Sequence, residues 1–165
     1  MNIQRSFVVL GLAVSLGGAL GSEVARSEDP LAFPEGYRSW YHVKSLLLEE
    51  GHPLYASFGG LHHLYANDKA LQGYRTGRFP DGSVIVFDLF EVTREGGAVA
   101  EGERKVLAIM VKDGQRFAAT GGWGFEGFAK GDPAQRVVGG NAKQACFDCH
   151  ASQADHDYVF SRLRP

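Results

Sequence analysis

Cys146-Phe147-Asp148-Cys149-His150 is the run of this sequence in which residue type and spacing could do chemistry, and the chain holds no other cysteine. Two thiols three positions apart on one helical turn can each add to a vinyl group of a haem, giving two thioether bonds. The adjacent imidazole is then delivered to the iron from one side, the arrangement of a C-x-x-C-H attachment run. A zinc half-site would need a second ligand pair, which two cysteines do not supply. A thioredoxin-like redox pair belongs in a βαβ context. A disulfide across so short a loop would remove little entropy from the unfolded chain. The run therefore predicts one haem c, attached through Cys146 and Cys149, with His150 as the iron ligand.

What occupies the opposite side of the iron decides the function. A side chain bonded there leaves electron transfer, whereas a free position admits a small ligand. Met110 is the sole methionine besides Met1, and it lies in an apolar run where a core role accounts for it. His62 and His63 are adjacent, so on a strand they project to opposite faces and one of them could face the haem. A histidine on a half-buried strand is more often hydrogen-bonded structure. His42, His52 and His156 have no companion group that suggests a site.

The chain of 165 residues suits a single domain with its own core. With 17 Lys and Arg against 19 Asp and Glu, it lacks the basic excess that nucleic-acid binding requires. Arg5 precedes 14 nearly unbroken apolar or small residues, Phe7 to Leu20. That is short of the roughly 20 needed to span a bilayer. Residues 1–26 thus read as an export signal cut between residues 21 and 26, with an uncleaved anchor as the alternative. Residues 27–165 form the haem c domain, periplasmic and without a membrane span once mature.

The elements that must position the haem run are mostly strands. Tyr37 to Leu48 fits either one helix or a short helix running into a strand. Leu61–Ala66 reads as a strand. Asn67 or Asp68 can cap a helix carrying Ala70, Leu71 and Tyr74, which Gly77 ends. Pro80-Asp81-Gly82 is a turn before the clearest strand, Ser83–Val92, apolar on both faces and therefore central. Arg94–Arg104 reads as a charged loop, Val106–Val111 as the return strand, and Phe117–Phe128 as a third. Asn141 is expected to cap a short helix holding Lys143 to Cys149. The sum is an α+β domain, a predominantly antiparallel β-sheet with a few short helices.

Several stretches resemble the cytochrome P-460 and cytochrome c′-beta family. They are Tyr37-Arg38-Ser39-Trp40, Leu64-Tyr65-Ala66-Asn67, Gly77 to Val86, Val111 to Phe117, Ala145 to His150, and Asp157-Tyr158-Val159-Phe160-Ser161-Arg162. The resemblance implies a cytochrome P-460-like fold rather than a four-helix bundle, a homodimer, and a five-coordinate haem c with His150 proximal. Lysine-bearing members that oxidise hydroxylamine cross-link a lysine to the haem edge and carry a distal glutamate. At the matching positions this sequence has Phe87 and Ala108, and His62 stands where those members have an arginine.

These departures resemble the phenylalanine-capped branch, cytochrome c′-beta, and imply a distal pocket of Phe58 and Phe87 with His62 nearby. Proton-coupled oxidation needs a base, which a phenyl ring is not. An apolar cap excludes water and charged ligands, because desolvating them without a partner costs several kcal/mol. Nitric oxide and carbon monoxide are small and uncharged, and dioxygen is held best by a hydrogen-bond donor that the rings do not supply. The sequence is thus read as a nitric oxide-binding haem protein served by a redox partner, for binding, transport or detoxification. An electron-transfer cytochrome with a six-coordinate haem and a hydroxylamine or nitric oxide oxidase are the alternatives.

Overall fold

The computed structural model describes residues 29–164, so the expected export segment lies outside the described residues. Five strands form one antiparallel sheet in chain order: β1 (Tyr41–Leu48), β2 (Gly60–Ala66), β3 (Val84–Glu95), β4 (Ala98–Lys112) and β5 (Trp123–Ala129). Among the described residues no helix is long and apolar enough to cross a membrane.

The ambiguous start resolves as a 3-10 turn, Tyr37–Ser39, running into β1. Helix α1 (Tyr55–Phe58) precedes β2, and α2 (Asp68–Thr76) follows it. Asn67 caps α2 by accepting from the Ala70 amide at 2.9 Å, and Gly77 ends it at φ 79, a left-handed conformation that glycine adopts without strain.

Three expectations need correction. Residues 94–104 are not a loop: β3 runs to Glu95 and β4 begins at Ala98. Gly96 and Gly97, at φ 57 and 82, close a two-residue hairpin. Charged residues pair here because both faces of the ribbon meet water, so no apolar alternation marks the strands. Residues 117–122 are not strand either, since a 3-10 turn, Ala118–Thr120, and a reversal at Gly121 and Gly122 precede β5. Finally, Asn141 does not cap the C-terminal segment. It ends a 3-10 turn, Gly139–Asn141, and a π-helical turn, Lys143–Phe147, leads into α3 (Asp148–His150).

Register sorts the side chains onto two faces. Leu64, Phe87 and Ala108 are successive cross-strand partners, as are Ile85, Met110 and Phe125. This face packs Val43, Leu64, Ile85, Met110, Trp123 and Phe125 with Ala70 of α2 and Val159. The opposite face packs Val86, Leu107, Ile109 and Phe128 with Tyr37. It also buries Asp88 completely, where Tyr37 donates its hydroxyl to the carboxylate at 2.5 Å and Arg104 donates Nε at 2.7 Å. Burial first, then the neighbouring carboxylate, pushes the Tyr37 hydroxyl up to about 12. Within an apolar strand, a carboxylate with such partners fixes which face of β3 turns inward on that side.

Candidate haem site

The C-terminal turns bring the attachment run against the Met110–Phe125 face. Cys146, Phe147 and Tyr158 all pack on that cluster, and neither cysteine is in a disulfide. Burial, with a smaller push from Glu126, raises the Cys146 thiol to about 11. The His150 ring lies 5.1 Å from those of both Phe125 and Phe160. Its Nδ1 donates to the Tyr158 carbonyl at 2.7 Å. A carbonyl only accepts, so Nδ1 carries the proton and Nε2 keeps its lone pair, the tautomer a metal ligand needs. Burial lowers the His150 pKa, against the opposing pull of that hydrogen bond.

The carbonyl is aimed by backbone that L-residues seldom adopt. Asp157 and Tyr158 have φ 52 and 65, a left-handed pair worth about 1–3 kcal/mol of strain each. Three contacts hold it. The Asp157 carboxylate accepts from the Phe79 amide at 2.8 Å and from Lys112 Nζ at 2.6 Å, and the Asp157 carbonyl accepts from Trp123 Nε1 at 2.8 Å. The Val111 to Phe117 and Asp157 to Arg162 stretches therefore meet through their charged members.

Phe87 belongs to the same cluster as Cys146. The Phe58 ring stands edge-on to it, with centroids 6.0 Å apart, and His62 does so at 4.7 Å. His62 is 2% exposed, and its Nε2 lies 2.5 Å from the Phe58 carbonyl oxygen. The structure thus brings Phe58, Phe87 and His62 together. His63, one residue on, points to the other face, where it bonds Ser45 at 2.6 Å and lies 2.8 Å from Glu101. Met110 packs between its partners Ile85 and Phe125 as core, and His42 bonds Ser45.

The residues present fit a covalently held haem. They offer two unpaired thiols, a neutral imidazole with a free Nε2, and an aromatic face to receive the ring. A bare ion fits less well, since among the described residues no group of three or more His, Cys, Asp or Glu side chains is gathered to hold one. Sequence reasoning missed Lys112 and Asp157, which lie far apart along the chain. Asp88 could have been found, as a carboxylate inside an otherwise apolar strand.

An antiparallel five-stranded sheet carrying a thiol–thiol–imidazole run beyond its last strand defines a haem protein that is not a helical bundle. The family model for cytochrome P460 matches residues 34–161, and the chain belongs to the cytochrome P460 family. No curated protein matches it significantly.

Proposed function

We propose that the protein is an exported cytochrome that holds one haem c through Cys146 and Cys149, with His150 as proximal ligand. It binds small uncharged gases, nitric oxide foremost and carbon monoxide as well, under Phe58 and Phe87. The reading is of the phenylalanine-capped branch, periplasmic and homodimeric, reduced by a redox partner and used in binding, transport or detoxification of nitric oxide.

One observation carries this reading. Phe58, Phe87 and His62 cluster on the sheet face that packs Cys146, and the His62 imidazole is bonded to the Phe58 carbonyl. A neutral imidazole has one N–H, and here the carbonyl takes it. His62 then has no proton to offer a ligand, and Ala108, directly across from Phe87, brings a methyl group and no base. Held through Cys146, Cys149 and His150, a haem would supply an iron able to bind a gas on the side of Phe58 and Phe87. Phe58 and Phe87 exclude water from that side, since an unpartnered polar group there costs about 2–7 kcal/mol. A diatomic gas loses little by entering. Oxidation of hydroxylamine would need a proton acceptor beside the ligand, which the rings of Phe58 and Phe87 and the methyl group of Ala108 do not provide.

The test is the absorption spectrum of the holoprotein, followed by carbon monoxide binding to Phe87→Ala. High-spin five-coordinate iron and faster ligand binding in the variant are expected. A low-spin six-coordinate resting spectrum would refute the reading in favour of electron transfer, and hydroxylamine turnover with a dye acceptor would refute it in favour of an oxidase.

A further inference from the structure

Phe58 is 39% exposed and sits at the end of a single-turn helix, so its own packing does little to fix it over the sheet. Its backbone is fixed instead at two consecutive carbonyls. His62 Nε2 bonds the Phe58 carbonyl at 2.5 Å, and Lys105 Nζ donates to the Gly59 carbonyl at 3.0 Å.

The Lys105 contact follows from an irregularity in the sheet. Leu89 pairs with Val106 and Phe90 with Arg104, which leaves Lys105 as the extra residue of a β-bulge. Bulges turn a side chain out of the ladder's alternation, and here the turn carries an ammonium group to the α1–β2 junction. The junction itself admits little else. A Cβ on Gly59 would come 2.7 Å from the Tyr55 carbonyl oxygen, and one on Gly60, at φ 130, would come 2.2 Å from the Phe90 carbonyl oxygen. Glycine at both positions lets the α1 loop lie against the sheet, where the two donors can reach it.

We infer that His62 and Lys105 are positioning residues that latch the Phe58 carbonyl and its neighbour, and so set how readily a ligand passes the phenylalanine cap. The inference rests on the gas-binding reading above and adds the part of the protein that controls access to it. His62 and Lys105 act through Phe58, since their donors are taken by the Phe58 and Gly59 carbonyls. With one latch removed, the α1 loop populates displaced positions more often and the gap beside Phe87 opens more often.

The experiment is carbon monoxide rebinding after flash photolysis of the ferrous holoprotein. His62→Leu is expected to speed association about fivefold, the population change that one hydrogen bond is worth. Lys105→Met should give about twofold to fivefold on the same ground. His62→Gln keeps a donor and should stay within about twofold of wild type. Amide hydrogen exchange over Tyr55–Gly59 should quicken in His62→Leu and Lys105→Met but not in His62→Gln. Should His62→Leu fail to assemble, Lys105→Met and its exchange decide the matter. Unchanged rates and exchange in both loss-of-donor variants overturn the latch. Phe58→Ala separates this failure from that of the gas-binding reading. Faster rebinding there with no effect of the latch variants sinks the latch alone, and no effect in any variant sinks the cap as well.

Discussion

Replacing Lys112 by Met should loosen the proximal side of the site. Lys112 Nζ donates to Asp157 at 2.6 Å and to the Gly121 carbonyl at 3.0 Å, and lies 5.0 Å from the Trp123 ring centre. The two side chains of the pair are 12% and 9% exposed. Removing one partner of a buried ion pair costs about 3–5 kcal/mol, because the other charge stays buried. The low end applies here, since Asp157 keeps the Phe79 amide as a donor. We therefore expect a loss of about 3 kcal/mol. With a urea slope of about 2 kcal/mol per M, the unfolding midpoint should fall by about 1.5 M. Strain at Asp157 and Tyr158 would then be less well opposed, so the Tyr158 carbonyl should drift from His150 Nδ1. The iron–histidine stretching band of the ferrous protein should shift and broaden. Lys143→Met provides the comparison, because its pair with Asp148 is 62% and 51% exposed and should be worth no more than about 1 kcal/mol. The reasoning is refuted if Lys112→Met costs no more than Lys143→Met, or if it destabilises the fold and leaves the iron–histidine band unmoved.

Further outcomes follow from the other buried groups. Arg104→Met leaves the Asp88 carboxylate with Tyr37 and a longer 3.4 Å contact to half-exposed Arg38, and should destabilise the protein by about 3 kcal/mol in urea unfolding. Burial, reinforced by His63, Lys105 and His52 and opposed by the Phe58 carbonyl, puts the His62 pKa below its ordinary value. The folded protein thus binds fewer protons than the unfolded chain, so this contribution is full above about pH 6.5 and is lost as the pH falls below it. The urea midpoint should drop on acidification, and less steeply in His62→Gln; parallel curves would show that His62 does not titrate between the two states. Denatured holoprotein should give an ordinary c-type haem spectrum, since Phe87 cannot cross-link to the ring, and a red-shifted chromophore that survives unfolding would contradict this.

Much of the site's chemistry is local and was legible from the chain alone. Cys146, Cys149 and His150 sit within five residues, so their spacing by itself points to the haem c proposed above. Apolar residues on both faces of Ser83–Val92 mark a central strand, and Asn67 and Gly77 mark the ends of α2 because capping is decided within one turn of helix. Arg94–Arg104 was misread because strands with water on both faces need no apolar pattern. Asn141 was misread because the chain there turns in 3-10 and π geometry before any regular helix begins.

Sequence periodicity shows that a strand has two faces, but not which of them meets the haem run. Only the register that pairs Leu64 with Phe87 and Phe87 with Ala108 assigns that face. The meeting of Phe58 with Phe87 and the reach of Lys112 to Asp157 link residues far apart in the chain. No local preference encodes such contacts. They exist because five strands close into one sheet, and the burial that follows leaves each polar group with only the partners the fold brings to it.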